Sequence, residues 1–209
     1  MNRRISIVMP RLNALSPTAA DNLSLAIINF AMMRMEGDAL PSIQAVDRKP
    51  RYIVGCNCAV AGPDNAAVRA RTTLAAALLL RWRLRPTEVL FLADTFMAAD
   101  AAEVLPSDNP EAVECLWMVY ARWPGDAWCL WLPYGWEDDG TLTFRESSQW
   151  VPIKRTVEEG GSTLFVTGSL GEAVRLAVAP MPRGLEVPEP PDDEALEAMG
   201  VYDIGEAEA

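Results

Sequence analysis

Between Ser16 and Gly37 the apolar residues recur at three- and four-residue spacing. Leu23, Ile27, Phe30 and Met33 form one stripe, and Leu25, Ile28, Met32 and Met35 form a second. The spacing predicts a helix that runs to about Glu36 and stops at Gly37, with Thr18 and Asp21 in capping-box spacing at its start. A helix with two apolar stripes is buried on most sides or covered by a partner. Pro63-Asp64-Asn65 predicts a second helix start, and that helix runs to about Leu84 before Pro86 stops it. Short apolar runs at 5–9, 51–56, 88–92 and 162–167 read as strands, the last leading into a helix from about Leu170 to Val178.

The segment 113–150 has the clearest turn chemistry. Trp123-Pro124-Gly125-Asp126 sets Pro and Gly at the two central positions of a type II turn, linking strands 113–123 and 126–137. Asp139-Gly140 is a second hairpin signal leading into 141–150. The expected fold is therefore α+β: helices packed on a mainly antiparallel sheet, with a three-stranded meander at about 113–150. If Trp123 faces Asp126, one side of the first two strands carries Trp117, Val119, Trp128, Leu130 and Leu132. The other side then carries Leu116, Met118, Tyr120, Cys129 and Trp131. Both faces are apolar, so both need cover.

Charge divides the chain. Residues 185–209 hold nine acids and no base, while residues 1–85 carry twelve arginines and lysines against five acids. The net charge of −11 thus belongs mostly to the C-terminal stretch. The expected organisation is one mixed α/β globular domain over 1–184, then an acidic, Pro-rich, flexible tail over 185–209 with a short helix around Asp192 to Met199. The apolar run 5–9 ends at Pro10 and Arg11, and Leu74–Leu80 falls short of the ~20 residues a bilayer span needs. Four cysteines in a chain of 209 residues do not form a disulfide framework, which points to a reducing, cytoplasmic setting with no membrane association.

The chain contains no histidine, which excludes Ser-His-Asp and Cys-His nucleophile pairs, histidine-ligated zinc and histidine acid–base catalysis. The strand register places Cys129 five residues along from Cys115, roughly 17 Å at ~3.4 Å per residue, too far for a shared zinc. No metal or cofactor is expected. Gly168-Ser169-Leu170-Gly171 matches no nucleophile-elbow or phosphate-loop pattern, and Ser169 and Glu172 are spaced as a capping box. Asp94 and Glu114 stand inside apolar strands with Glu111 close by. Carboxylates so placed serve either as catalytic or metal-binding candidates or as partners of arginines such as Arg81, Arg83 or Arg122.

The run Leu105-Pro106-Ser107-Asp108-Asn109-Pro110-Glu111-Ala112-Val113-Glu114 follows a strand ending near Asp94 and precedes an apolar strand with Gly-containing turns. Its P-S-x-x-P-x-x-x-E arrangement resembles an uncharacterised family of actinobacterial and phage proteins over about residues 88–140. Ala112 and Val113 stand where arginines are associated with that family. The resemblance implies a shared fold.

These features favour a non-catalytic interaction or accessory protein with a protein partner. Its binding surface would be a tryptophan-rich sheet face (Trp117, Trp128, Trp131, Trp136) or the tail residues Leu196, Met199, Tyr202 and Ile204. The alternative is a carboxylate- or metal-dependent enzyme, or a small-ligand binder, built on Asp94, Glu111 and Glu114. A homo-oligomer stays open, and nucleic acid is disfavoured because nine tail acids are too few to imitate a duplex and the N-terminal half is basic.

Overall fold

The computed structural model describes residues 5–6, 11–37, 39–55, 65–97, 112–145, 149–153, 155–157, 163–165, 168–180, 189 and 191–206. In chain order the first elements are β1 (Ile5–Ser6), α1 (Pro17–Glu36), β2 (Ser42–Ala45), β3 (Arg51–Gly55), α2 (Asn65–Leu84) and β4 (Glu88–Met97). Next come β5 (Val113–Arg122), β6 (Asp126–Trp136), β7 (Leu142–Phe144), β8 (Val151–Pro152), β9 (Arg155–Val157) and β10 (Thr163–Phe165). The chain continues through α3 (Gly168–Leu176), α4 (Asp193–Ala198) and β11 (Val201–Glu206).

Among the described residues nine strands make one sheet in the order β1-β7-β6-β5-β4-β2-β3-β11, with β8 alongside β6. Every pairing in it is antiparallel except β1 with β7, so the α+β class holds. The β5–β6–β7 meander is present, although its third strand is only Leu142–Phe144 rather than 141–150. β4 stays extended to Met97 and pairs with β5 along its whole length. β9 and β10 form a separate two-stranded sheet.

The β5–β6 turn corrects the expected register. Arg122, not Trp123, lies opposite Asp126, so the loop has three residues. Gly125 adopts φ +112° and its N–H donates to the Arg122 carbonyl at 2.7 Å. Side chains alternate with period two, so a one-residue slip moves the whole of β6 to the other face. Leu116, Met118 and Tyr120 therefore share a face with Trp128, Leu130 and Leu132, while Trp117 and Val119 share one with Cys129 and Trp131. Cys129 pairs with Val119, four residues along from Cys115 on the same side, about 14 Å by strand rise.

Two apolar layers follow from this alternation. Leu23, Ile27 and Phe30 of α1 pack on Leu90, Leu92, Met118, Leu130 and Tyr134. On the opposite face α2, α3 and the turn after it bring Ala76, Leu79, Leu80, Val174 and Val178 onto Phe91, Trp117, Val119 and Cys129. Each large side chain so buried contributes about 1.5–3 kcal/mol.

α1 starts two residues earlier than the expected capping box. Its cap is Ser16, whose hydroxyl accepts from the Ala19 N–H at 3.1 Å, with Pro17 in the first turn. Asn22 then ties the helix to the β2–β3 connection by a reciprocal pair of bonds with the Asp47 backbone, at 2.9 and 3.1 Å. α3 begins at Gly168, one residue ahead of the cap expected at Ser169.

The acidic stretch differs most from expectation. The short helix is present as α4, capped by Asp192, but residues 201–206 are not irregular: β11 pairs with β3 and closes that edge of the sheet. Leu196 and Val201 are buried against the α2 layer. The Asp203 carboxylate receives Arg51 at 2.9 Å and also Arg83, so two cations from the basic half match an acid of the tail. No described helix is long and apolar enough to cross a membrane.

Candidate functional site

The two candidate carboxylates lie at the C-terminal end of α1, and neither is a partner of Arg81, Arg83 or Arg122. Arg34 takes both. Its Nη2 donates to Glu114 Oε1 at 2.9 Å, and its Nε lies 3.0 Å from the Tyr134 hydroxyl and 3.3 Å from Asp94 Oδ2. The Tyr134 hydroxyl in turn donates to Asp94 Oδ1 at 2.6 Å. Burial pushes the Asp94 carboxyl above its ordinary range, against the opposing pull of the Tyr134 hydrogen bond and the Arg34 charge. Burial likewise raises the Tyr134 phenol. Glu111 lies outside the described residues.

A matching cluster sits at the other end of α1. Glu88 accepts from the Tyr120 hydroxyl at 2.8 Å and from Ser16, the helix cap, at 2.7 Å. Arg122 donates to the Ala14 carbonyl at 3.3 Å and lies over the Trp128 ring, 5.0 Å from its centre. A tyrosine–carboxylate pair from the sheet thus holds α1 at each end. Their members have protein partners already, and that makes both clusters clamps for the helix.

The described thiols are not poised for nucleophilic work. Burial pushes Cys115 up to about 12, with the Asp94 charge adding to it, and pushes Cys129 up to about 11. Cys56 and Cys58 are outside the described residues.

The tryptophans do not form one surface. Trp117 is in the core, edge-on to Phe91 at 5.6 Å, and Trp131 packs half-buried against the same layer. Trp128 is half-buried on the opposite face, stacked on Tyr120 at 5.7 Å, while Trp136 is exposed at the end of β6. The tail residues also separate. Leu196 is buried, Met199 packs half-buried on the core, and Tyr202 is exposed on the α1 side of β11; the Ile204 side chain is outside the described set.

What remains open is the outer side of α1. Ile27 is fully buried, whereas its neighbour Ile28 is 42% exposed. Leu25 and Met32 are exposed with it, Met35 is half-buried, and the four recur at 25, 28, 32 and 35. Alternating steps of three and four make a heptad seam, the spacing at which one helix receives another. Between Asp21 and Glu36 the only charged residue is Arg34, which is turned onto Asp94 and Glu114. Met32 and Met33 also form one wall of a groove of about 300 Å³, whose other walls include Asn29, Tyr52, Val54 and Gly205. The buried Tyr52 hydroxyl lies beside Asn29 without a hydrogen bond of normal geometry among the described residues, and burial raises its pKa.

The second stripe was visible in the sequence as Leu25, Ile28, Met32 and Met35, and the structure leaves its first three members exposed on one side of the helix. Arg34 was not visible as a partner, because it lies 80 residues from Glu114. The chain matches no protein-family profile, no curated protein and no solved structure.

Proposed function

We propose that this chain is a non-catalytic interaction protein, and that the outer face of α1 pairs with α1 of a second copy. The uncharged heptad seam on an otherwise well-seated helix carries this reading. A helix face meeting only water normally carries charge, and a contiguous apolar row marks a contact surface. A second copy brings a seam of the same spacing and the same neutrality, so no like charges meet along it, while the net charge of −11 keeps the association weak. Antiparallel pairing about a two-fold axis sets Leu25 against Met35 and Ile28 against Met32. The clamped state of Asp94 and Glu114 and the raised thiols support binding over catalysis.

One helix face is a small interface, so the association belongs to the micromolar class, and sedimentation from about 1 to 200 µM spans it. The expected result is a monomer–dimer transition in the unmodified chain that is lost in Ile28→Glu and Met32→Glu, with circular dichroism unchanged and melting unchanged at concentrations where the unmodified chain is monomeric. A wild-type monomer throughout that range overturns the self-pairing, as does a dimer that both variants retain.

A further inference from the structure

A cleft lies on the opposite face of the molecule, where the end of α2, the start of β4, the β5–β6 turn and the end of α3 meet. It encloses about 680 Å³, within the size range of small-molecule sites. Its walls bring together Arg81, Trp82, Arg85, Thr87 and Trp123, above a floor of Ala177 and Val178, and none of its lining residues is acidic. Trp82 is 48% exposed and Trp123 54% exposed. Indole rings are costly to leave in water, and here two line one cleft beside two guanidinium groups, in a chain of net charge −11.

The walls are fixed by the fold. The Trp123 N–H donates to the Thr87 carbonyl at 2.8 Å, which pins the turn to the start of β4. Gly125 lets the same turn approach α3: a Cβ there would fall 2.9 Å from Arg175 Nη1 and 3.2 Å from the Ala179 Cβ. Arg81 donates to the Leu176 carbonyl at 2.6 Å and to the Ala179 carbonyl, so its charge answers the negative end of α3. Arg83, the neighbouring cation, is engaged by Asp193 and Asp203.

Arg85 has no such partner among the described residues of the cleft walls. It occupies the position after α2 where glycine is the usual residue, and it holds φ +46° while its N–H closes the helix on the Arg81 carbonyl at 2.9 Å. A long cationic side chain is thus kept at a left-handed position, exposed, beside two open indoles.

We infer that this cleft binds a planar aromatic anion, with the ring stacked on Trp82 and Trp123 and the anionic group met by Arg85. Nucleotide-like and arylcarboxylate ligands share this chemistry. Stacking on an indole tolerates many rings, while the Arg85 guanidinium, which has no acidic partner among the described residues, selects for charge.

Titration calorimetry with AMP, adenosine and ribose 5-phosphate separates the two requirements, and benzoate tests the carboxylate source. AMP should bind saturably below about 1 mM. Adenosine and ribose 5-phosphate, each lacking one half, should bind at least about tenfold more weakly. Trp82→Ala and Trp123→Ala should each weaken AMP by about tenfold, and Arg85→Gln should weaken AMP while leaving adenosine unchanged. The two indoles are about half exposed and Arg85 is exposed, so melting should stay near wild type. No saturable heat from AMP or benzoate overturns the inference, and so does binding to which either indole variant is indifferent or in which AMP is no tighter than adenosine. Sedimentation of Ile28→Glu reads the α1 seam independently of this outcome.

Discussion

On one face of the sheet α1 presents Leu25, Ile28 and Met32 to the outside, with Arg34 the one charge between Asp21 and Glu36; on the other face α2 carries Arg81 and Arg83 in its last turn and is followed at once by Arg85. Both helices have twenty residues and both cover an apolar sheet layer. They differ in what their ends and outer sides do with charge. The one charged residue of α1 between those acids, Arg34, is drawn inward to clamp the helix, whereas two of the three arginines ending α2 are spent on α3 carbonyls and tail carboxylates. The inward use of Arg34 strengthens the seating of α1 but strips its outer face of solvation. Exposure therefore has different meanings on the two helices: a neutral seam suited to another helix on α1, and a cationic, aromatic cleft suited to a small anion on α2.

The contrast breaks most sharply within α1 itself. Ile27→Ala removes a fully buried side chain and should cost about 2–5 kcal/mol in denaturant unfolding. Ile28→Ala, one position on, should stay within about 0.5 kcal/mol at concentrations where the chain is monomeric. Equal losses would mean that the outer face is packed in solution.

Next in size is the clamp. Arg34→Ala leaves Asp94 and Glu114 without their cation and should cost about 2 kcal/mol, less than a fully buried pair because these side chains are partly solvated. Adding Asp94→Asn and Glu114→Gln to Arg34→Ala should restore part of that loss. A loss that the neutral pair does not relieve would assign Arg34 a packing role instead.

The smallest effect is a pair of opposite pH dependences. Asp94 has a folded pKa raised by burial, so the native state holds its proton longer than the unfolded chain does. Its contribution becomes less favourable as pH rises from the ordinary aspartate range to its folded value. At Asp203 burial works against the charge, but Arg51, the Gly205 amide and Arg83 outweigh it and hold the carboxyl low. Its contribution is present above the ordinary aspartate pKa and is lost as pH falls through the folded value. Melting curves across this acid range should show Asp94→Asn gaining on wild type as pH rises and Asp203→Asn losing ground. Parallel curves would remove the asymmetry.

Much of this was legible in the chain. The α1 stripes, the α2 stop at Pro86 and the turn residues at 123–125 all appear as local chemistry, and local chemistry needs no distant partner to be read. Pro124-Gly125 announces a turn but not its length, and a third loop residue was enough to exchange the faces of β6. β2 escaped notice because Ser42-Ile43-Gln44-Ala45 carries a buried glutamine in place of an apolar alternation; its side-chain amide lies 3.5 Å from the Asn22 carbonyl. The α2 cleft was hidden for another reason: Trp82 and Trp123 belong to different elements, and only the packing of the turn on α3 makes them neighbours. Composition marked 201–206 as acidic, yet Val201 and Asp203 find a core and two arginines that are remote in sequence.

The β3–β11 pairing also sets an order of events during synthesis. Arg51 and Asp203 are separated by 152 residues, so at typical elongation rates β3 leaves the ribosome about 8–30 s before its outer neighbour exists. Through that interval β3 has β2 as its one strand partner among the described residues, and its other row of N–H and C=O groups still awaits β11. The nascent chain thus carries an open edge that no local contact can seal. Chaperone engagement and premature stop codons both act on this window, because a product ending before Val201 retains that edge for its lifetime.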